Sequence, residues 1–407
     1  MLRVLHLIHA FNRGGLERWL LAMLRTIPRD LCAIDVCCKG QDTGPWARHA
    51  TEAGARIFHA PLGPSHVGFA KGFSKILING PYDIVHNHLD VYSGLPVLIA
   101  KRTNVPVICT FHNTDFSKAH PWWLRLPIME QIRRSYGYFS MGYSIRHADL
   151  VTAVSRGVLE SVIAGKVTHG LPPRVLYLGV ETPRPVTSED RAGFRRSLGF
   201  QKDTPVVLHV GRFMELKNHR GLIDVFQQVV DKIPQARLLL VGEGILRGQI
   251  EKLTRERGLS ELVRFLGARD DVANLMSVSD VLLLPSLFEG LPIVALEANA
   301  SGIPVVGSLV PGLIEARDHG AACILHPVED ISSMADTVVG LLTNPERARS
   351  LGMKGREQVE AFFGVERAAE RLLNLYSEFL DAKRPLRPDD SIPGDYPSEP
   401  RAQNCTR

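Results

Sequence analysis

The chain has 407 residues, of which 45% are hydrophobic and 22% charged, which is typical of a globular protein and excludes a largely disordered or fibrous chain. Its net charge of +5 is uneven: residues 1–183 carry 20 Lys and Arg against 12 Asp and Glu, and the remainder carries 28 against 31. This imbalance fits an anionic partner and equally fits an ordinary solvated surface.

Short apolar runs alternate with helical patterns along the chain. Each run has about five to eight residues, is rich in Val, Ile and Leu, and ends at Gly, Pro, Asn or Ser. Near-continuous apolar runs are typical of strands buried on both faces of a parallel sheet with crossover helices. The predicted strands are Arg3–Ala10, Ala33–Gly40, Arg56–Pro61, Tyr82–His88, Val105–His112, Ala148–Ser155, Arg174–Val180, Pro205–Gly211, Arg237–Gly242, Val263–Gly267, Val281–Pro285, Pro304–Gly307 and Ala322–His326.

These two series predict an α/β protein with two doubly wound, Rossmann-like domains that face each other across a cleft. The proline-rich segment between Val180 and Pro205 separates a first domain, residues 1–183, from a second, residues 184–382. We expect a last helix near 365–382 to pack back on the first domain. Residues 383–407 contain five Pro and few aliphatic residues, which predicts a disordered tail.

The six cysteines form no Cys-x-x-Cys pair, and no Cys and His cluster has the spacing of a zinc site. Free thiols, together with a start that lacks the pattern of a signal peptide, predict a cytoplasmic protein. The longest uncharged run, Ala298–Ile314, contains three Gly and two Pro. It is therefore not expected to span a membrane.

Parallel sheets of this kind bind ligands at the carboxyl ends of their strands, so the residues that follow each strand are the candidates. After the first strand, Gly14 and Gly15 allow a tight turn and the close approach of a ligand. The helix that follows would present its first amides to an anion. The same pair of glycines would also suit a turn that binds nothing.

Three histidines lie at the ends of two neighbouring predicted strands, His86 and His88 on the fourth and His112 on the fifth. A single histidine is usually a packing residue, but three together favour a functional edge, where an imidazole meets a sugar hydroxyl or polarises a leaving group. We assign His86 and His88, with Asn113 and Asp115, to the acceptor side. No carboxylate spacing completes a metal site around them, so no metal is predicted.

Two cations follow the first strand of the second series. Arg212 and Lys217 lie on its strand-to-helix loop, where they would together hold a diphosphate or remain exposed loop cations. The next strand ends at Gly242 and Gly244, which suggests a dinucleotide-binding turn. The spacing is GxGxxxG, however, and no acidic residue ends the following strand, which argues against a nicotinamide cofactor.

The strongest signal is a pair of carboxylates eight residues apart, Glu289 and Glu297, just past the strand VLLLPS. On a helix this spacing puts both on one side, so we expect Glu297 to face the cleft with Glu289, two turns deeper. A first-turn Glu would also be favoured by the helix dipole alone. Glu297, however, lies in the apolar stretch IVALEANA, where an unpaired carboxylate is costly, and this favours a ligand.

These blocks resemble family 4 of the retaining, nucleotide-sugar glycosyltransferases, which have the GT-B fold. The matching pieces are GGLE at 14–17, TFHN at 110–113, AVS at 153–155, VGRF with Lys217, VGEG at 241–244, SDVLLLPS at 279–286 and EGLPIVALE at 289–297. The amino-terminal blocks most resemble bacterial capsule and exopolysaccharide transferases. The resemblance implies transfer of a hexose or N-acetylhexosamine from a nucleotide sugar, with UDP as the expected nucleotide, to a growing, lipid-linked polysaccharide.

The resemblance also implies residue roles. Gly15 would approach the donor diphosphate, Arg212 and Lys217 would neutralise it as it leaves, and His112 would lie beside the anomeric carbon. Glu289, with Gly290 and Leu291, would hold the transferred sugar, and Glu297 the ribose. The loop that contains Gly267 and Arg269 would lie along the base.

Members of this family generally need no metal, and no two Asp in this chain are separated by a single residue, so the DxD metal motif of the other large transferase fold is absent. We therefore expect no cofactor. One departure is VPGLIE at 310–315, where many relatives have two Gly followed by Pro-Glu. It leaves a donor contact by Glu315 open.

Trp122 and Trp123 lie among Lys118, Arg125 and Arg133. Aromatic and basic residues together suit a membrane interface, so we predict a peripheral contact with anionic lipid at the inner face of the plasma membrane; packing of the Trp pair under a loop is the alternative. Rival functions are a nucleotide-sugar epimerase and a degenerate glycan-binding module. Nucleic-acid binding has only the charge imbalance behind it and is not predicted.

Overall fold

The computed structural model describes residues 1–63, 66–113 and 127–383. The predictions made for Asp115, for Trp122 and Trp123, and for the tail beyond 383 lie outside the described residues. The described strands form two parallel sheets, of seven and six strands. The predicted α/β class with two doubly wound sheets is therefore confirmed.

The first sheet has the order β3-β2-β1-β4-β5-β6-β7. Its inner strands are buried on both faces, and β2 is buried at all seven of its positions, which explains the near-continuous apolar runs. The strands are β1 (Leu2–Ile8), β2 (Cys32–Cys38), β3 (Ile57–His59), β4 (Ile84–Asn87), β5 (Val107–Phe111), β6 (Leu150–Ala153) and β7 (Leu171–Val175).

The second sheet has the order β10-β9-β8-β11-β12-β13. Its central strand β11 is fully buried and pairs with β8 on one side and β12 on the other. The strands are β8 (Val206–Val210), β9 (Arg237–Val241), β10 (Val263–Gly267), β11 (Val281–Leu284), β12 (Val305–Ser308) and β13 (Cys323–His326).

Helices connect the strands and cover the sheets. In chain order they are α1 (Gly15–Thr26), α2 (Ala47–Glu52), α3 (Val67–Asn79), α4 (Gly94–Arg102), α5 (Pro127–His147), α6 (Arg156–Ile163), α7 (Ser188–Ser197), α8 (His219–Lys232), α9 (Arg247–Glu256), α10 (Val272–Val278), α11 (Ile293–Ala300), α12 (Pro311–Asp318), α13 (Ile331–Leu342), α14 (Pro345–Phe363) and α15 (Val365–Lys383). Short 3-10 turns occupy Asp90–Tyr92 and Glu215–Lys217.

The seventh strand differs from its prediction, because it spans Leu171–Val175 and not Arg174–Val180. Its second and third residues are prolines, which lack an amide hydrogen and are tolerated because β7 is an edge strand. The apolar residues that follow leave the sheet and pack against the end of the chain. There the amide of Val180 donates to the carbonyl of Phe363 at 2.8 Å.

The last helix, α15, lies against the first half of the chain. It contacts α1, and its Tyr376 is fully buried beside His6 and His86 of the first sheet. One cluster of buried apolar residues runs continuously from Leu5 through Leu296 to Tyr376, so the two halves share a core. Among the described residues, no helix combines the length and the apolar character needed to cross a membrane.

Candidate active site

Each sheet has one switch point, where the strand order reverses: between β1 and β4 in the first sheet, and between β8 and β11 in the second. Open parallel sheets bind ligands at the carboxyl ends of the strands beside such a point. The segments at these four ends carry Gly15, His88, Arg212 and Glu289. The topology thus explains why these particular strand ends were the informative ones.

Glu289 lies in the loop after β11 and is held by a cation and a hydroxyl. The Lys217 ammonium donates to both carboxylate oxygens at 2.7 and 2.8 Å, and the Ser286 hydroxyl donates to one of them at 2.7 Å. Glu289 is 6% exposed, so this pairing keeps its charge from being buried alone. Lone pairs remain on the carboxylate for further donors.

The loop that carries Glu289 touches His112 directly. A Cβ on Gly290 would lie 2.2 Å from the carbonyl oxygen of His112, so only glycine allows this approach. Leu291 is buried beside it. The two halves of the chain therefore meet, backbone against backbone, at the predicted catalytic residues.

The prediction that Glu289 and Glu297 lie on one face of the same helix is wrong. Glu289 precedes α11, which begins only at Ile293, so it is not on the helix of Glu297. Glu297 forms an ion pair with Arg18 of α1 at 3.0 Å. Burial raises the pKa of Glu297, and the charge of Arg18 opposes this. The pair lines a cavity of about 140 Å³ together with Glu181 and Ser301, and Glu289 is not among the residues that line it.

The amino termini of α1 and α11 lie close to each other. A Cβ on Gly15, the first residue of α1, would lie 3.1 Å from the Cβ of Ile293, the first residue of α11. In the first turn of α1, burial raises the pKa of Glu17 to about 7, and the positive charge of Arg212 acts in the opposite direction. The sequence prediction missed Glu17, although it is the last residue of the GGLE block.

Arg212 and Lys217, predicted to hold a diphosphate together, have different surroundings in the structure. Lys217 is committed to Glu289, whereas the exposed Arg212 lies near Glu17 of the other half. A diphosphate between them would meet one exposed guanidinium and one ammonium already shared with a carboxylate. The chemistry fits a phosphate site in which Arg212 is the readily available charge.

His112 is half-buried, and its ring nitrogen Nε2 lies 3.0 Å from Nδ1 of His88. Its backbone amide donates to Asp90 at 2.9 Å. Burial lowers the pKa of His112 to about 4, so the ring is neutral at pH 7. Burial also raises the pKa of Asp90 to about 7, against the opposing bonds from the His112 amide and the Asn113 side chain.

The structure does not place His86 and His88 where an acceptor would touch them. Both are buried, at 0% and 4% exposure, and all four of their ring nitrogens are in hydrogen bonds. Asn113, by contrast, is exposed beside His112. Near the end of β2, the buried Lys39 ammonium lies 4.0 Å from the ring centre of Tyr92 and joins this side of the cleft.

The loop that contains Gly267 and Arg269 is linked to the first half of the chain by hydrogen bonds to Asp270, and this link is called the Asp270 tie. Arg13 donates to both oxygens of Asp270 at 2.7 and 3.0 Å, and the indole of Trp46 donates to one at 2.9 Å. Arg269 is exposed and pairs with Asp271. Gly267 ends β10 beside these contacts, and Asp270 was not among the predicted site residues.

Glu315, whose role was open, also bridges the halves. Its carboxylate accepts the first amide of α6, from Arg156 at 2.7 Å, and the hydroxyl of Tyr177 at 2.7 Å. The α6 terminus is a favourable place for a negative charge. In this conformation both oxygens of Glu315 accept hydrogen bonds from the first half of the chain, from the amides of Arg156 and Gly157 and the hydroxyl of Tyr177.

Comparisons with known proteins agree with this arrangement. Residues 13–184 match the family described as Glycosyltransferase Family 4, and residues 190–358 match the family described as Glycosyl transferases group 1. The chain is 28% identical over 399 residues to EpsF of Bacillus subtilis (strain 168), which is assigned to the glycosyltransferases, covering 92% of this chain and 96% of that one. It is 22% identical to the UDP-Gal:alpha-D-GlcNAc-diphosphoundecaprenol alpha-1,3-galactosyltransferase of Escherichia coli, over 90% and 94% of the two chains.

Among solved structures, that of Anabaena Alr3699/HepE in complex with UDP and glucose superposes with a TM-score of 0.78 at 20% identity, over 93% of this chain and 100% of that one. Two parallel sheets with this likeness show the GT-B fold, and the two matched families make the chain a glycosyltransferase. The two matched families cover most of both halves, and the chain belongs to glycosyltransferase family 4.

Proposed function

We propose that this glycosyltransferase moves a hexose or N-acetylhexosamine from a UDP-sugar to a growing, lipid-linked polysaccharide, with retention of configuration and without a metal. The observation that carries the proposal is the Lys217–Glu289 pair, held at the switch point of the second sheet and abutting His112 of the first. This contact brings a cation and a carboxylate next to the backbone of His112, whose imidazole is neutral.

In this proposal the donor diphosphate lies at the amino terminus of α1, near Gly15, with Arg212 and Lys217 beside it. Helix amides and two cations favour the negative charge that grows as the glycosidic bond stretches. Glu289 accepts hydroxyls of the transferred sugar with its remaining lone pairs. These charges stand in for a metal, and undiminished turnover after chelation would support that part.

Retention follows if the acceptor attacks on the face from which the diphosphate leaves. The bond between the anomeric carbon and the diphosphate oxygen breaks, and the bond to the acceptor oxygen forms on the same face. The acceptor's proton passes to the leaving diphosphate, so no protein base is required. His112 lies beside this point and orients a hydroxyl.

Glu297 is the proposed ribose ligand. Its cavity of about 140 Å³ opens beside Arg18 and Glu181, and the carboxylate is paired only through Arg18 among the described ion pairs. Ribose hydroxyls would compete with or share that guanidinium. The base would then lie along Gly267 and Arg269, next to the Asp270 tie.

The acceptor side is proposed to rest on anionic lipid. Helix α5 exposes Ile132, Tyr138 and Phe139 at 60%, 67% and 72%. The groove between α3 and α4, beside α5, is lined by Lys71 and Lys75 among others. Apolar and basic groups on adjoining helices suit an anionic interface. Sedimentation with anionic and neutral liposomes tests this: binding to neither would overturn it, and Tyr138→Ser with Phe139→Ser should weaken binding to anionic ones.

The decisive experiment measures nucleoside diphosphate release from UDP-, GDP- and ADP-sugars, followed by addition of a lipid-diphosphate-linked glycan. Glu289→Gln is the test variant, and Glu346→Gln, an exposed glutamate on α14, is the matched control. We expect slow release from one UDP-sugar, faster release with acceptor, and loss only in Glu289→Gln. An epimerised nucleotide sugar, or no nucleotide binding at all, would contradict the proposal.

A further inference from the structure

A continuous chain of hydrogen bonds runs from His112 into the interior of the first half. Nε2 of His112 lies 3.0 Å from Nδ1 of His88, and Nε2 of His88 lies 3.0 Å from Nδ1 of His6. Nε2 of His6 lies 2.9 Å from the hydroxyl of Tyr376, which comes from α15. Residues from the two ends of the sequence therefore join in one chain.

The chain continues beyond Tyr376. Its hydroxyl lies 2.6 Å from Nδ1 of His86, and Nε2 of His86 lies 2.6 Å from the hydroxyl of Thr110. The hydroxyls of Thr110 and Thr152 lie 2.5 Å apart. Apart from His112, every member is at most 4% exposed, so solvent does not replace these partners.

These histidines need no metal to satisfy them. His6, His86 and His88 can bring ring nitrogens within 4.8 Å of one another, which is close enough for a metal ion. All six of their ring nitrogens, however, already have hydrogen-bond partners among the described residues. Hydrogen bonding alone therefore accounts for the cluster.

The rings in the chain are neutral, because burial lowers the pKa of His6 to about 3 and holds those of His86 and His88 well below the usual value. A neutral imidazole has one N–H and one bare nitrogen, so each ring inside the chain donates once and accepts once. Each hydroxyl has a single proton, so the chain runs in one direction throughout when every proton within it is used in a hydrogen bond. The proton position on His112 is coupled to hydroxyl groups deep in the core.

The inner end of the chain favours one direction. The Thr152 hydroxyl lies 3.5 Å from the carbonyl oxygen of Cys109, which can only accept. If Thr152 donates to it, Thr110 donates to Thr152, and each proton in turn points inward. This direction makes one more hydrogen bond than the reverse, in which Thr152 donates to Thr110. His112 then carries its proton on Nε2 and has a bare Nδ1.

We propose that Tyr376, His6 and His88 are positioning residues that hold His112 in the Nε2-protonated tautomer, so that its Nδ1 accepts a hydrogen bond from a substrate hydroxyl. The substrate contact rests on the proposed transferase function, whereas the tautomer does not. The last helix thus orients a ring in the cleft from the opposite end of the sequence. A tautomer fixed by buried partners costs no reorganisation when substrate binds.

The tautomer is tested by nitrogen NMR on protein labelled at histidine with ¹⁵N, with no substrate present. The His112 signals are assigned by their loss in His112→Asn. We expect a bare Nδ1 and a protonated Nε2 at pH 7.5, and a mixture of tautomers in Tyr376→Phe. Tyr82→Phe, which removes another buried hydroxyl in the same half, is the control. A protonated Nδ1 in the native chain, or an unchanged His112 in Tyr376→Phe, would overturn the proposal.

A second pair of variants separates positioning from folding. Thr110→Val keeps the shape but removes the hydroxyl, and Thr110→Ser retains it. We expect Thr110→Val to reduce turnover of the donor roughly tenfold with its KM within about twofold, and Thr110→Ser to stay near the native rate. Equal losses in both, or a loss confined to KM, would contradict a positioning role. If no donor is turned over at all, the transferase proposal fails, and the NMR result still decides the tautomer.

Discussion

The two switch points occupy equivalent places in their sheets, but one carries charged side chains and the other carries neutral ones. In the second sheet Arg212, Lys217 and Glu289 are charged, and the buried carboxylate is neutralised by its ion pair. In the first sheet the corresponding groups are neutral imidazoles and hydroxyls, linked to one another. A charged point suits a diphosphate leaving group, and a neutral point suits the hydroxyls of an acceptor. The fold places both points at the carboxyl ends of the strands, and their residue types suit them to different parts of the substrates.

The two points approach each other at the backbone contact between Gly290 and His112, at Gly15 against Ile293, and where Arg212 lies near Glu17. No side-chain hydrogen bond among the described residues links the Lys217–Glu289 pair to the histidine chain. Variants on one side should therefore leave the other side intact, so the difference can be tested one point at a time.

The largest effect is expected at the ion pair. Lys217→Ala should lower turnover by about 10²–10³-fold, because a cation that stabilises the leaving group is lost. It should also destabilise the protein by roughly 3 kcal/mol, because Glu289 is left as a buried, unpaired carboxylate. Turnover and the urea midpoint of unfolding are the two measurements.

The double variant Lys217→Ala with Glu289→Gln separates these effects. Removing the orphaned charge should restore most of the stability but none of the turnover. If turnover returned with stability, the pair would be structural, and the charged switch point would have no part in the chemistry.

Arg212→Ala should have the next largest effect, a decrease of about 10²-fold in turnover with little change in donor affinity. Arg212 is exposed, so its removal should leave the unfolding midpoint within experimental scatter. Donor KM and turnover are measured together, with the exposed Arg48→Ala as control. A loss of affinity with unchanged turnover would mean that Arg212 binds the ground state only.

The buried neutral histidines at the switch point of the first sheet should make the free energy of unfolding depend on pH. The pKa of His6 is lowered to about 3 and that of His112 to about 4, so the unfolded chain takes up protons below pH 6.5 that the folded chain does not. Their contribution to stability is present above pH 6.5 and is lost as the pH falls toward 4.

Asp90 and Glu17 act in the opposite direction, since their pKa values are raised to about 7 and the folded chain holds their protons between about pH 4 and pH 7. The four histidines of the chain outnumber these two carboxyls. We expect a net loss of at least about 1.4 kcal/mol per pH unit below pH 6. Urea midpoints at pH 7.5, 6.5 and 5.5 test this, and a flat profile would show that the rings are charged in the folded state.

Much of the fold was predictable, because strands buried on both faces leave a continuous apolar signature and the segments between them suit the crossover helices of a parallel sheet. The ends of β1, β4, β8 and β11 were found for the same reason. The seventh strand was predicted at the wrong residues because its two prolines argue against a strand unless it lies at the edge of the sheet. That position depends on which strand remains unpaired, which no local pattern encodes.

The site was predictable where one segment carries the chemistry and not where two distant segments meet. Glu289 and Lys217 were both named as candidate residues, but their ion pair was not predicted. His6 and Tyr376 were missed because no local pattern in either segment indicates a hydrogen-bond partner about 370 residues away. The spacing argument for Glu297 failed because it assumed a helix that starts four residues later.

The smallest effect is expected at the Asp270 tie between the halves. Its ion pair with Arg13 is exposed, with 38% and 59% of the two side chains accessible, so it should contribute no more than about 1 kcal/mol. Asp270→Asn keeps an acceptor for the Trp46 indole and removes only the charge. If the tie steadies the loop beside the nucleotide, donor KM should rise about two- to fivefold, turnover should not change, and the difference should shrink at high salt. Asp336→Asn removes an exposed pair of the same kind, with Lys232 and away from the cleft, and should change neither constant. A loss of turnover in Asp270→Asn would mean that the tie itself aligns the two switch points, because a contact that only helps to close the cleft affects binding and not the chemical step.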